Sequence, residues 1–343
     1  MEAHRSSRIV VAGAGSIGCY AGGCLALAGR DVTLLLRPLL AEAIGRHGLR
    51  ISDLEGADRA LPPSGVKLDT EPGTALAQAR IVLVAVKSGA TAAMAGVIAR
   101  HAPADAIVVS LQNGVGNLDV LRAHLRATQR PVSGMVPFNV VQTRADDAAP
   151  RFHRATSGTI QIAAGVPGLR EALDVAGVRV AEHADMARVL WGKLLLNLNN
   201  ALNALSGLPL ATQIADWPWR LLLAAQIEEA FTVLDAAGIK PARVEGVPPR
   251  MVPAILWLPN PVFRVVARRM LAIDPEARSS MWEDLAARRP TEIDHLQGAI
   301  LALAAKHGMR TPLTQRVTQL VKDAEAAGAG SPRLRPEQIA SVG

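Results

Sequence analysis

The feature that most constrains the fold is the segment 8–18, which reads RIVVAGAGSIG. An apolar run suited to a buried strand leads directly into Gly13-x-Gly15-x-x-Gly18, and a helical run then continues to Ala28. Glycines at these places allow a tight turn, a close approach of a pyrophosphate to the backbone, and close packing of helix on strand. A glycine-rich turn without a ligand is the alternative, but the position between a first strand and a first helix favours a dinucleotide site.

Short apolar runs alternate with helical stretches through the first half of the chain. The runs occupy residues 8–12, 31–36, 81–86 and 107–111. Alternation of this kind predicts an α/β fold with a parallel sheet, and consecutive apolar residues suit strands covered on both sides. Three later segments, 131–142, 159–163 and 178–182, are predicted to extend the sheet, some of them antiparallel.

The second half of the chain changes to helical periodicity. Asp185 is a predicted N-cap, and Gly or Pro interrupts the helical pattern at 207–209, 238 and 248–249. The length of 343 residues suits two domains. We predict a Rossmann-type dinucleotide-binding domain over residues 1–184, an all-helical substrate and catalytic domain over 185–327, and a flexible tail over 328–343.

Composition excludes several classes of protein. No apolar run approaches the roughly 20 residues needed to cross a bilayer, and the polar start lacks a secretory segment, so we expect no membrane role and a cytoplasmic location. Cys19 and Cys24 are the only cysteines, which predicts buried, reduced thiols and no metal site. The formal charge of +7 is spread along the chain and aromatic residues make up 3%, which argues against nucleic acid and suits small anions.

The end of the second predicted strand reads LLLR over residues 34–37. An NAD-binding protein usually has an acidic residue here, which binds the ribose hydroxyls. Arg37 can instead pair with a 2′-phosphate, so NADPH/NADP+ is the predicted cofactor. A solvated charge at the strand end is the alternative.

Two further polar residues follow predicted strands, Lys87 after 81–86 and Asn113 after 107–111, in the segment LQNGVGN. Ligands bind at the carboxyl ends of the strands in open α/β sheets, so both are site candidates, although either alone also suits an ordinary loop. The predicted cofactor-binding residues are Gly13, Ala14, Gly15, Ser16, Ile17, Gly18, Arg37, Lys87 and Asn113.

A helical segment over 191–200 reads WGKLLLNLNN. Spacing of about 100° per residue places Lys193, Asn197 and Asn200 within roughly 60° of one another. Lys193 is then either a snorkelling surface residue or a charge placed for proton transfer, and its polar neighbours favour the second interpretation.

A second polar cluster reads RSSMWED over 278–284 and PTEID over 290–294. A helix that starts near Pro290 would explain Thr291 as an N-cap and Glu292 as a first-turn acid. On these residues alone, a structural role and a catalytic role remain open.

The chain resembles the ketopantoate reductase family, also called 2-dehydropantoate 2-reductase, from Ile9 to about Leu320. Five landmarks occur in order: GAGSIG at 13–18, AVKS around Lys87, LQNGVGN around Asn113, WGKLLLN at 191–197, and RSSMWEDL with PTEIDHLQG at 278–298. The last pair is the most specific, because the family's fixed interval between a serine and a glutamate is reproduced by Ser280 and Glu292.

The resemblance implies NADPH-dependent reduction of 2-dehydropantoate to pantoate, on the route to pantothenate and coenzyme A. It makes Lys193 the general acid that protonates the C2 oxygen, with Glu292 positioning Lys193 and substrate. Asn113 and Lys87 would lie near the nicotinamide and the reacting centre. The implied catalytic residues are Lys193, Glu292 and Asn113, and the substrate-binding residues are Asn197 for the hydroxyl, Ser280 for the carboxylate, and Asn200.

One position departs from the family pattern. Many relatives carry a second Asn eight residues after the catalytic lysine, where this chain has Ala201; Asn200 is a candidate substitute. Reduction of another small anionic 2-oxo acid is therefore an alternative function, and an NADP(H)-sensing regulatory protein without catalysis is a second. A homodimer is a further hypothesis.

Overall fold

The computed structural model describes residues 7–143, 148–243, 247–268 and 276–340. The chain divides into two compact units, Met1–Met186 and Ala187–Gly343. Among the described residues, no helix combines the length and the hydropathy that a membrane crossing requires.

The described part of the first unit contains twelve strands. They are β1 (Ile9–Ala12), β2 (Val32–Leu35), β3 (Leu49–Asp53), β4 (Asp58–Leu61), β5 (Lys67–Asp69), β6 (Ile81–Val84), β7 (Ile107–Ser110), β8 (Arg130–Met135), β9 (Val140–Thr143), β10 (Arg151–Arg154), β11 (Ile160–Ala163) and β12 (Val180–His183). Eight of them form the main sheet in the order β12-β11-β8-β7-β6-β1-β2-β5. All neighbours in this sheet pair in parallel except β8 and β11, which are antiparallel.

The described helices of the first unit lie between these strands. They are α1 (Ser16–Leu27), α2 (Pro38–His47), α3 (Pro72–Leu76), α4 (Thr91–His101), α5 (Asn117–His124) and α6 (Leu169–Leu173). The strands β1 and β6 are buried along their whole length, which agrees with the consecutive apolar residues of the sequence. The predicted α/β fold with a mostly parallel sheet is confirmed.

Helix α1 packs closely on the strands because small residues face them. A Cβ atom on Gly18 would lie 2.9 Å from Val11 Cγ1, and one on Gly23 would lie 2.7 Å from Ile51 Cδ1. Cys19 and Cys24 on the same helix are both buried and free. Burial raises the pKa of the Cys24 thiol to about 11, so this thiol stays protonated at neutral pH.

The prediction of one strand over residues 131–142 is wrong. The chain leaves the main sheet after β8 at Met135, and β9 belongs to a second sheet with the order β4-β3-β10-β9. Pro137 lies in the break and has no N–H to donate to a sheet. The backbone N–H of Asn139 bonds the Thr156 hydroxyl at 2.8 Å, a side-chain contact in place of a ladder bond.

Helices make up the regular structure of the second unit in its described residues. They are α7 (Met186–Asn197), α8 (Asn199–Ser206), α9 (Leu210–Ala215), α10 (Trp217–Ala236), α11 (Val252–Leu256), α12 (Asn260–Val266), α13 (Ser280–Ala286), α14 (Gln297–Lys306), α15 (Pro312–Ala327) and α16 (Pro336–Ala340). The predicted helical C-terminal half is confirmed. Two breaks fall where predicted, because α8 ends before Gly207 and α10 ends before Gly238.

The segment after Gly328 differs from the frayed tail that its composition suggested. Its described part includes α16, which contacts α10 and α15 and buries Ile339 completely. The backbone N–H of Leu334 also donates to Leu205 O at 2.9 Å. One apolar side chain and one backbone bond to α8 order this segment as far as residue 340; residues 341–343 lie outside the described part.

Candidate active site

The glycine turn lies at the carboxyl end of β1. Gly13 has φ +76°, and a Cβ on it would collide with the Val86 side chain, so no other residue fits there without strain. Gly15 is exposed, and a Cβ on it would have no protein atom within 4 Å. Helix α1 begins at Ser16 with no acidic residue in its first turn. Its first backbone N–H groups have no partner within the helix, so the turn offers donors and open space to an anionic group.

The other predicted cofactor residues of this turn differ in burial. Ala14 is buried and its backbone N–H donates to Leu35 O at 3.0 Å, which joins the turn to β2. Ser16 and Ile17 are partly buried, and Gly18 is buried. The turn is thus fixed by β1, β2 and the segment after β6, while the face at Gly15 is open.

Arg37 lies at the carboxyl end of β2, directly before α2, and its side chain is exposed. The neighbouring strand β5 ends at an acidic residue, Asp69, which pairs with Leu35 at the end of β2. Its carboxylate accepts from the Thr74 hydroxyl at 2.5 Å and from the Glu71 backbone at 2.8 Å. The exposed charge directly after β2 is therefore a guanidinium, and the carboxylate of Asp69 beside it is already bonded within a local turn.

Lys87 and Asn113 follow β6 and β7, which are adjacent and parallel. Both therefore lie at the same edge of the sheet as the glycine turn. The Lys87 side chain is exposed and Asn113 is partly buried. This is the edge at which open α/β sheets bind ligands.

Buried side chains fix the backbone of Asn113. Its carbonyl oxygen accepts from the Ser88 hydroxyl at 2.8 Å and from Asn117 Nδ2 at 2.7 Å. Ser88 and Asn117 are 4% and 7% exposed, so water competes little for these bonds. The loop after β6, which carries Lys87, is thereby bonded to the loop after β7.

Gln112 extends this network to the strand ends. Its Nε2 donates to Val86 O at 3.1 Å and to the Thr91 hydroxyl at 2.7 Å, while its Oε1 accepts from the Ser110 hydroxyl at 3.1 Å. The Thr91 hydroxyl also lies 2.9 Å from Asn117 Oδ1. The sequence interpretation missed these residues, although polar residues directly after a buried strand, in LQNGVGN, were a signal for them.

In the helical unit, Lys193 and Asn197 lie on α7 and Asn200 lies on α8, all three partly buried. Leu198 between the two helices keeps helical dihedral angles, and its backbone N–H donates to Leu194 O at 3.1 Å. The helical path therefore continues through the junction. Ala201, the position that departs from the family pattern described above, is completely buried.

Ser280 is the first residue of α13 and is exposed. The preceding Ser279 caps this helix, since its hydroxyl accepts from the Trp282 backbone at 3.2 Å and donates to Asn200 O at 3.0 Å. Helix α13 packs against α8. The structure thus brings the segment that carries Ser280 to the helix that carries Asn200.

Glu292 directly precedes a short 3₁₀ turn, Ile293–His295, rather than an α-helix. The N-cap of this turn is Glu292 and not Thr291 as the sequence suggested, although the Thr291 hydroxyl accepts from the Ile293 backbone at 3.2 Å; α14 starts later, at Gln297. Gln297, which the sequence interpretation also missed, is completely buried and donates to Leu198 O at 2.9 Å. This bond joins α14 to the junction between α7 and α8.

Comparison with known proteins gives a consistent result for both halves of the chain. A family model described as "Ketopantoate reductase PanE/ApbA" matches residues 9–166, and one described as "Ketopantoate reductase PanE/ApbA C terminal" matches residues 185–325. The 2-dehydropantoate 2-reductase of Halobacterium salinarum is 29% identical over 332 residues, covering 94% of this chain and 100% of that protein.

Two solved structures are similar over almost the whole chain. A PanE/ApbA family ketopantoate reductase from Ralstonia eutropha JMP134 has a TM-score of 0.77 and 30% identity, covering 94% of this chain and 99% of the other. A D-mandelate dehydrogenase solved with NADH and anilino(oxo)acetate has a TM-score of 0.72 and 20% identity, with the same coverage. At the latter identity the likeness concerns the fold alone.

Proposed function

We propose, from the premise that the chain belongs to the ketopantoate reductase family, that it reduces 2-dehydropantoate to pantoate with NADPH on the route to pantothenate and coenzyme A. The family is one of oxidoreductases that use a nicotinamide cofactor. One observation carries the proposal: the packed helical unit retains an ammonium, amides and a hydroxyl suited to a 2-oxo acid, on Lys193, Asn197, Asn200 and Ser280.

The glycine turn has the features that a dinucleotide requires. The open face at Gly15 and the first N–H groups of α1 suit a pyrophosphate, and no acidic side chain of that first turn would repel it. Bound there, NADPH would supply a hydride. The network around Gln112 and Asn117 holds the backbone of Asn113 at the same sheet edge, which suits its proposed place beside the nicotinamide.

Arg37 supports NADPH over NADH. Its exposed guanidinium can form charge-assisted hydrogen bonds to a 2′-phosphate. The carboxylate of Asp69 is already bonded to Thr74 and to the backbone of Glu71, so it is poorly placed to select a free ribose hydroxyl.

Lys193 is the proposed general acid. Reduction of a ketone develops negative charge on the C2 oxygen, and an ammonium can stabilise that charge and deliver the proton. Glu292 is proposed to position Lys193 and the substrate. Asn197 and Asn200 are proposed to bind the substrate hydroxyl, and Ser280 its carboxylate.

A second candidate is the reduction of another 2-oxo acid. The side chain at position 201 is a buried methyl group, so it offers no hydrogen bond where relatives carry an amide. A substrate without the pantoate hydroxyl would not need that bond.

Purified protein with a panel of 2-oxo acids separates the candidates. We expect oxidation of NADPH, followed at the nicotinamide absorbance band, to be most efficient with 2-dehydropantoate. A higher kcat/KM for an acid without the hydroxyl would favour the second candidate. Binding of NADPH without oxidation by any acid would indicate a sensor and contradict both.

A cytoplasmic location and a homodimer complete the proposal. Exposed apolar side chains of the helical unit, among them Trp257, Val262 and Val265, support a subunit interface. Sedimentation equilibrium measures the assembly directly, and a monomer at all concentrations would contradict the dimer.

A further inference from the structure

The segment that leads into Ser280 is bonded to the connection between α8 and α9. The backbone N–H of Leu210 donates to Ala277 O at 2.8 Å, and Arg278 Nη1 donates to Gly207 O. The Arg278 guanidinium also stacks on the Trp282 ring, 4.4 Å from its centroid. Residues 277 and 278 are therefore held from one side by the turn that ends α8.

Asn203 on α8 forms the central bond of this arrangement. Its Oδ1 accepts from the backbone N–H of Ser279 at 2.9 Å. Its Nδ2 donates to Leu208 O at 2.9 Å and to Gln213 Oε1 at 3.0 Å. We call four hydrogen bonds the clasp. Three are the bonds of the Asn203 amide, and the fourth joins the Ser279 hydroxyl to Asn200 O.

The clasp is specific because it is buried and fully paired. Asn203 and Gln213 are completely buried, and Ser279 is 2% exposed. Asn203 uses both donors and one acceptor, which leaves one orientation of its amide compatible with the three partners. Loss of that amide would leave a backbone N–H and a carbonyl unpaired in the core.

We propose that Asn203 is a positioning residue that sets the affinity for the carboxylate of the 2-oxo acid, because the clasp fixes Ser280 relative to Asn200. This inference rests on the proposed function, in which Ser280 binds the carboxylate. Ser280 is covalently next to the clasped Ser279, so release of the clasp would shift the Ser280 hydroxyl relative to Asn200 on α8. Asn203 itself is buried and acts only through Ser279.

The test compares three variants. Asn203→Leu keeps the size of the side chain and removes all three bonds. Ser279→Ala removes only the hydroxyl bonds to Asn200 O and to the Trp282 backbone. Asn199→Ala is the control, since Asn199 also bonds Gln213, at 3.0 Å, but forms no hydrogen bond to residues 276–280 in the described structure.

The readouts are KM and kcat for the 2-oxo acid, and the Kd for NADPH from its fluorescence. We expect Asn203→Leu to raise KM by about 10- to 100-fold, the range that one or two lost buried hydrogen bonds produce. Ser279→Ala should raise KM by a smaller factor, roughly 3- to 10-fold. The Kd for NADPH should stay within about twofold in both, and Asn199→Ala should match the wild type.

Amide hydrogen exchange adds a readout at the clasp. We expect faster exchange in residues 277–284 of Asn203→Leu, with unchanged exchange in α1. If Asn203→Leu does not fold, Ser279→Ala tests the same clasp with a milder change.

Each outcome is decisive. If the wild type turns over a 2-oxo acid and the clasp variants keep its KM, the positioning role is wrong and the proposed function stands. If kcat, KM and the NADPH Kd all worsen together, the variants damage the fold generally and the positioning role is again wrong. If the wild type reduces none of the 2-oxo acids tested with NADPH, the proposed function fails, and the positioning role fails with it.

Discussion

The two units hold their candidate groups in opposite ways. At the glycine turn of the first unit, the cofactor is proposed to meet backbone N–H groups and to fill open space, and Gly13 and Gly15 give the turn this shape. In the helical unit, the groups proposed to meet the substrate are side chains on packed helices, such as Lys193 and Ser280. Function should therefore be lost by adding atoms at the glycine turn and by removing atoms in the helical unit.

The largest effect is expected from removing the ammonium in the helical unit. Lys193→Ala should lower kcat by about 10²- to 10⁴-fold, the usual contribution of a general acid. The NADPH Kd should stay within about twofold, because the predicted cofactor residues belong to the first unit. Lys306→Ala is the matched control, since Lys306 is an exposed lysine in the last turn of α14. Equal losses of turnover and NADPH binding would reject the assignment.

The next effect comes from adding one methyl group at the glycine turn. Gly15→Ala places a Cβ in open space, so stability should hold while NADPH binding weakens by roughly 10- to 100-fold. Gly13→Ala places its Cβ against Val86 at a positive φ, so it should lower the free energy of unfolding by roughly 2–5 kcal/mol. Thermal melts and NADPH titrations of both variants measure the contrast. Wild-type NADPH affinity in Gly15→Ala would mean that the open face binds no pyrophosphate.

A third effect tests cofactor choice at the end of β2. Arg37→Ala should reduce the preference for NADPH over NADH by about tenfold or more, since a charge-assisted bond contributes about 1.5–3 kcal/mol. Arg46→Ala is the control, because Arg46 lies in the last turn of α2, the helix that Arg37 precedes, and is exposed and paired with Glu42 at 2.7 Å. The ratio of kcat/KM for the two cofactors is the measurement. An unchanged ratio would mean that Arg37 does not bind the 2′-phosphate.

The sequence predicted the parts of the fold that depend on local pattern. Strands β1, β2, β6 and β7 were found because each is a mainly apolar run buried in the sheet. The second sheet was not found, because β10 reads RFHR and its partner β3 lies about a hundred residues earlier in the chain. Charged four-residue segments look like loops until their distant partner is known.

The candidate site divides in the same way. The glycine turn and the face with Lys193 and Asn197 follow from spacing within one segment. The amides that support them do not, because Gln297 bonds Leu198 O across 99 residues and Ser279 bonds Asn203 across 76. Sequence periodicity carries no information on which distant carbonyl or amide a buried side chain will meet.

The smallest effect concerns the backbone between Ser280 and Glu292. In the described structure, residues with positive φ in the first unit are all glycines, whereas the helical unit has two arginines, Arg288 and Arg333, at φ +52° beside its glycines. Arg288 ends α13: its backbone N–H donates to Leu285 O at 3.1 Å, and that of Arg289 donates to Asp284 O at 2.8 Å. These two bonds form the Schellman motif, in which the left-handed position is usually a glycine.

Arg288→Gly should therefore raise the free energy of unfolding by about 1 kcal/mol, since glycine avoids the cost of a left-handed conformation. The corresponding rise in melting temperature is about 2–4 °C for a unit of this size. Gly328→Ala provides the reverse test, because Gly328 ends α15 at φ +59° and its Cβ would meet nothing within 4 Å. Gly328→Ala should lower the free energy of unfolding by a similar amount, about 1 kcal/mol. If Arg288→Gly leaves stability unchanged but lowers kcat, the arginine side chain contributes to the site, and the positive φ is the conformation that places it.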